Sequence, residues 1–239
     1  MPPAYRMVSA VVWLALYTAR ALEYNMNIFV IGDSISIHYG PALEASLKEL
    51  GIGYDRKTGL DAAREDMDVA RGANGGDSAR VLAYLRQCAT RGPAITADTL
   101  LVNCGLHDIK TDPATGRRQV PIEAYRGNLE AIVMLATGAL ALRMVWIRTT
   151  PCDERIHNAR CSEFHRFAAD CDAYNRAADA VMAARGVPVI DLHAFTRSLG
   201  QELFCDHVHF TEPVRRLQAA YIAGWLQCFR AAGAGLSGV

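Results

Sequence analysis

Short apolar runs recur along this chain at residues 27–31, 99–103, 144–147 and 187–191, each followed by a longer stretch of helical character. Runs this short, bounded by loop residues, read as strands buried on both faces. The helical stretches fall at 41–49, which opens on Pro41, at 79–88, at 121–140, at 162–185, which ends at Gly186, and at 212–230. In the second of these, Val81, Leu82 and Leu85 share a face and Asp77 or Ser78 supplies the cap. Residues 51–72 are charged and irregular and predict one more strand with loops. Asp-Pro and Thr-Gly pairs within 110–119 predict turns that carry the chain out over the site. Strands alternating with helices imply a parallel sheet flanked by helices. The loops after residues 31, 103 and 147 would then share one sheet edge, the edge where open α/β sheets gather ligands.

Composition excludes several classes of function. At 239 residues the chain fits one α/β domain with a sizeable core. Lys plus Arg equals Asp plus Glu at 25 each, so no basic field invites nucleic acid and no cationic cluster invites an anionic membrane. Residues 1–25 read as a leader or extension before a single domain at 26–239. Arg6, the apolar run from Met7 to Ala19 and the Ala19-Arg20-Ala21 triplet make a passable secretory signal over residues 1–21, but the run is too short to span a bilayer. Met26 is another candidate start. The seven cysteines are odd in number and scattered, with neither metal-ligand spacing nor a Cys-x-x-Cys pair, which favours a cytoplasmic body over a secreted or periplasmic one.

Ser34 follows the first apolar run within Gly32-Asp33-Ser34-Ile35, where a buried strand would end. Near the other end of the chain stands Asp206-His207-Val208-His209. A serine hydroxyl is a weak nucleophile until a histidine takes its proton and a carboxylate orients that histidine. The second segment offers both partners three residues apart, and the chain order is Ser, Asp, His. Each half alone has a plain reading: Gly-Asp-Ser is a common turn, with Asp33 serving the turn itself, and Asp-x-x-His is often a surface turn or an incidental metal ligand. Order, separation and strand-end placement together point to a serine hydrolase.

These residues carry a resemblance to the SGNH (GDSL-type) hydrolase superfamily. Gly32-Asp33-Ser34-Ile35 resembles its first block, Asn74-Gly75-Gly76-Asp77-Ser78 its second, Gly105-Leu106-His107-Asp108 its third, and Asp206-His207-Val208-His209 its last. The resemblance implies a three-layer α/β/α sandwich on a mostly parallel, flavodoxin-like sheet. It implies Ser34, Asp206 and His209 as the triad, and the Ser34 N–H, Gly76 N–H and residue 107 as the oxyanion hole. The departure is His107, where asparagine is usual; a histidine also donates an N–H, and a hole of two donors is the alternative. His207 competes with His209 for the role of base, and family spacing favours His209. The resemblance further implies hydrolysis of small esters, short-acyl or carbohydrate O-acetyl, with no metal or organic cofactor and a small-molecule ester as the partner. An acyltransferase on the same triad, or a silent carbohydrate-binding relative, is the alternative. A metal site through Asp206, His207 and His209 lacks a clear further ligand.

Other residues have expected roles of lower rank. His38 and Tyr39 follow the nucleophile by about one helical turn and are candidates to line the pocket, with capping or packing as the alternative. Arg148 sits at a strand end facing the cleft; Lys110 and Arg117 are further candidates for an anionic or hydroxyl-rich substrate, with solvated surface the plainer reading of Arg117. Asp108 is expected to brace its own loop through local backbone hydrogen bonds. His157, His165 and His193 lie outside the blocks and carry no assigned function.

Overall fold

A computed structural model describes residues 26–90 and 95–236; the leader expected at 1–25 lies outside them. Five parallel strands form one sheet in the order β2-β1-β3-β4-β5: β1 Asn27–Ile31, β2 Gly53–Arg56, β3 Thr99–Val102, β4 Arg143–Ile147 and β5 Val189–Ile190. This is the flavodoxin-like order expected, and its direction reverses between β1 and β3. β3 is buried at every position, as a strand covered on both faces must be. The register sets Ile31 beside Val102 and Val102 beside Trp146. The loops leaving β1, β3 and β4 therefore emerge side by side, as the alternating pattern predicts.

Helices cover both faces: α1 Ser34–Glu49, α2 Leu60–Glu65, α3 Ser78–Thr90, α4 Ile122–Met134, α5 Glu154–Arg160, α6 Ala168–Ala184, α7 Leu192–Ser198 and α8 Glu212–Leu236. α1 starts seven residues before the expected point. Asp33 caps it by accepting from the Ile35 N–H at 3.0 Å, and Pro41 lies inside the helix on its exposed side. Proline suits a first helical turn, yet here the buried stripe Ile35, Tyr39, Leu43 and Leu47 runs through it and packs along α8. Core burial outweighs the missing hydrogen bond.

α6 also departs from expectation, beginning at Ala168 rather than Ser162. The preceding residues are held extended: His165 and Thr111 exchange backbone hydrogen bonds at 2.8 Å each, and Asn158 accepts from the Arg166 N–H. Thr111 also bridges Arg118, so the predicted excursion at 110–119 is a short hairpin clasped to residue 165. The sequence pattern does not reveal α2, α5 or α7. Each is six or seven residues long, too short to show a helical period, and α5 and α7 rest on the side-chain caps Asp153 and Asp191.

Candidate active site

Ser34 stands at the junction of β1 and α1, held there by the Asp33 cap. As the first helical residue it has no intrahelical acceptor for its N–H, and it lies at the positive end of the helix. The Asp206–His209 segment is a tight loop before α8. Asp206 Oδ1 accepts from the Val208 and His209 N–H groups at 2.8 and 2.7 Å, which folds the loop around the carboxylate. Its other oxygen lies 2.7 Å from His209 Nδ1, and His209 Nε2 lies 2.9 Å from Ser34 Oγ. Burial works to raise the Asp206 pKa, but the His209 ring and the two backbone N–H groups outweigh it and hold the carboxyl well below its usual range. An ionised Asp206 favours the His209 tautomer protonated at Nδ1, in which Nε2 faces Ser34 Oγ as an acceptor. Both Ser34 and His209 are buried, at 5% and 3% exposure.

The Gly76 loop is anchored beside the Ser34 turn, the Gly75 N–H donating to the Gly32 carbonyl at 2.8 Å. Gly76 adopts φ +69°, and a Cβ there would meet Ala70 Cβ at 2.5 Å. The Gly76 N–H donates to Asn74 Oδ1 at 3.0 Å. Asn74 itself donates to the carbonyls of Met67 and Val69 and thereby shapes the whole loop. Gly105 admits the His107 loop close to β4: a Cβ at residue 105 would fall 2.1 Å from Thr149 Oγ1. His107 is buried, and its ring makes no hydrogen bond to any described residue. Burial, then the Lys110 and Arg166 cations, lower its pKa well below the ordinary histidine value, so the ring is neutral and carries one N–H to donate.

Residues 30–217 match the GDSL-like lipase/acylhydrolase family. The chain belongs to that family. Membership makes it a carboxylic ester hydrolase. No curated protein sequence matches it significantly. Among solved structures it is similar to a lipase/acylhydrolase from Enterococcus faecalis, at 18% identity and TM-score 0.61 over 84% of this chain and 95% of that one. The native aryl esterase of M. smegmatis gives 15% identity and TM-score 0.57, covering 85% of this chain and 99% of its own. An acetyl xylan esterase from Geobacillus stearothermophilus gives 16% identity and TM-score 0.59, covering 84% and 94%. At such identities the likeness is one of fold.

Not every candidate joins the site of this GDSL-like hydrolase. The His38 ring packs on His209 at 4.6 Å between centroids; burial, then the neighbouring His209 and Arg215 charges, push it down to about 4. Tyr39 is 2% exposed and belongs to the core, because α1 turns it inward, so it does not line the pocket. Arg148 is spent on ion pairs with Asp191 at 2.7 Å and Asp179 at 3.2 Å, beyond the site. Asp108 reaches beyond its own loop: its carboxylate accepts from its own backbone N–H and also from Ser78 N and Ser78 Oγ, thirty positions away, which ties the His107 loop to the loop that carries Gly76. His207 is held by Asp68, Nε2 to Oδ1 3.1 Å, and its nearest approach to Asp206 is 3.9 Å, so it stands aside from the Ser34 relay.

Three residues of the site escape a reading of the sequence: Asn74, which there is only one member of a glycine-rich block, Asp68 and Arg166. Arg166, 2% exposed, donates from Nε to the Leu106 carbonyl and supports the His107 loop from behind. A buried arginine in a polar stretch leaves no trace in sequence pattern. Among the described residues no group of three His, Cys, Asp or Glu side chains is placed to hold a metal, and no helix is long and apolar enough to cross a membrane.

Proposed function

We propose that this GDSL-like hydrolase cleaves short-acyl esters, carbohydrate O-acetyl groups among them, through an acyl-enzyme on Ser34. The observation that carries the reading is the unbroken relay from Asp206 Oδ2 to His209 Nδ1 at 2.7 Å and from His209 Nε2 to Ser34 Oγ at 2.9 Å. Ser34 Oγ attacks the ester carbonyl as its proton passes to His209 Nε2. The negative charge gathers on the carbonyl oxygen, where the Ser34 N–H and the neutral His107 N–H receive it. Gly76 N–H joins them when the oxyanion displaces Asn74 Oδ1. The carbon–oxygen bond to the alcohol then breaks and His209 returns its proton to the leaving oxygen. Water, deprotonated by His209, attacks the acyl-serine; the acid departs as the acyl–Oγ bond breaks and His209 returns the proton to Ser34 Oγ.

The walls of the adjoining cleft favour a polar alcohol over a long alkyl chain. Asp68, Lys110, Arg117, Gln119 and His207 contribute to them, beside Val69, Pro121 and Phe164. The similar acetyl xylan esterase from Geobacillus stearothermophilus supports an O-acetyl carbohydrate as one such substrate. Hydrolysis of p-nitrophenyl acetate, butyrate and octanoate by wild type and Ser34→Ala, with fluorophosphonate labelling alongside, tests the reading. Turnover falling from acetate to octanoate, and both turnover and labelling vanishing in Ser34→Ala, is expected. A Ser34→Ala protein that still turns over acetate, or a folded wild type that neither labels nor hydrolyses, refutes it.

A further inference from the structure

On the His207 side of His209 lies an open cleft of about 970 Å³, lined by His207, Lys110 and Phe164 among others. Two cations converge on one aromatic ring there. Lys110 Nζ lies 4.0 Å from the Phe164 centroid and the Arg166 guanidinium carbon 4.9 Å from it. Among the described residues neither has a carboxylate within ion-pair distance. Lys110 Nζ donates to the Asp68 backbone carbonyl at 2.9 Å; Arg166 donates to the Leu106 carbonyl and lies 3.4 Å from His157 Nδ1.

The nearby carboxylates are committed elsewhere or stand outside. Asp68 holds His207, Asp112 accepts from the Ala114 and Thr115 N–H groups, and Asp66 and Glu163 are exposed on the rim. A half-buried ammonium beside a buried guanidinium is an unfavourable arrangement. Burial, then the Arg166 charge, push Lys110 down to about 8, with Asp68 only partly offsetting them. An anion seated on Lys110 relieves that strain.

The side of the ester on which the anion sits follows from the mechanism. His209 must return a proton to the leaving oxygen, so the alcohol half lies on the His209 side of the carbonyl. His207, which lines the cleft, has its ring centroid 6.0 Å from that of His209. We propose that Lys110, with Arg166 behind it, forms a subsite for an anionic group, such as a carboxylate, on the alcohol half of the substrate. This rests on the esterase reading of Ser34 and adds a specificity that the family does not supply.

Para-acetoxybenzoate and para-acetoxybenzamide have the same shape and differ in charge, so they form the test pair. The measured quantity is the ratio of their kcat/KM values in wild type divided by the same ratio in Lys110→Met, in which intrinsic reactivity cancels. A value on the order of tenfold or more is expected, the return of one charge-assisted hydrogen bond, and Lys110→Arg should retain most of it. A quotient near one overturns the proposal. A preference that appears instead for mono-p-nitrophenyl succinate over p-nitrophenyl butyrate puts the anion on the acyl side and overturns it as well.

Binding to Ser34→Ala protein separates this proposal from the esterase reading. There the benzoate ester should bind more tightly than the benzamide in a Lys110-dependent way, whether or not wild type turns over. Equal binding overturns the subsite. Should Lys110→Met fail to fold, competition by benzoate and benzamide against p-nitrophenyl acetate in wild type decides the matter. Stronger inhibition by benzoate is then expected, and equal inhibition overturns the proposal.

Discussion

Replacing Asp206 by Asn separates two tasks that one carboxylate performs here. Oδ1 accepts from the Val208 and His209 N–H groups and shapes the loop, while Oδ2 receives the His209 Nδ1 proton. In Asp206→Asn the amide oxygen still serves the two backbone donors, so the loop keeps its form. The amide NH₂, however, now faces Nδ1. Nδ1 must accept, the ring proton moves to Nε2, and Nε2 at 2.9 Å can no longer take the proton of Ser34 Oγ. A reversed tautomer costs about 10⁴ in kcat, or roughly 5 kcal/mol of transition-state stabilisation. Stability should change little in Asp206→Asn. Asp206→Ala should lose comparable activity and also about 2 kcal/mol of stability, near 1 kcal/mol for each backbone hydrogen bond given up. Steady-state kinetics on p-nitrophenyl acetate and urea unfolding of both variants measure the two effects. An Asp206→Asn enzyme within tenfold of wild-type kcat would refute the assignment and turn attention to Asp68 and His207.

His107→Ala should reduce kcat by roughly 10²–10³, the loss of one oxyanion donor, with KM almost unmoved, and His107→Asn should recover much of it; a near-silent alanine variant, read by kcat and KM on p-nitrophenyl acetate, removes His107 from the hole. Asp108 gives a stability prediction with a definite sign. Burial raises its pKa from 3.8 to about 7 against the hydrogen bonds from Ser78. The folded state therefore holds a proton that the unfolded state has released between these values, and stability falls as pH rises from 4 to 7, by up to roughly 4 kcal/mol. Asp108→Asn should abolish this slope. Urea titrations at pH 4.5 and pH 8 decide it, and parallel pH dependence in the two proteins refutes it.

The sheet was legible because strand burial leaves a local mark: β3 and β4 are apolar over consecutive residues, and helices intervene in sequence as they do in space. The Asp206–His209 pairing was legible for the same reason, since four consecutive residues of one loop carry it. α2, α5 and α7 escaped because six or seven residues do not complete a pattern, and Pro41 misled because its fixed φ suits a helix start as well as the exposed side of a longer helix.

By itself, then, the sequence determined the alternating α/β order, which is written in local composition, and it put forward Ser34, Asp206 and His209 through their order and a family resemblance. Only the tertiary structure decided which side chains meet. Ser34 and His209 are 175 positions apart, Asp68 and His207 are 139 apart, and Asp108 reaches Ser78 across thirty. Only the fold decided that Arg148 is neutralised by Asp179 and Asp191 while Lys110 has no carboxylate at ion-pair distance among the described residues. The physical reason is that a charge's role depends on its distance to other charges and on the water it has lost. Packing sets both, and neither is a property of neighbours along the chain.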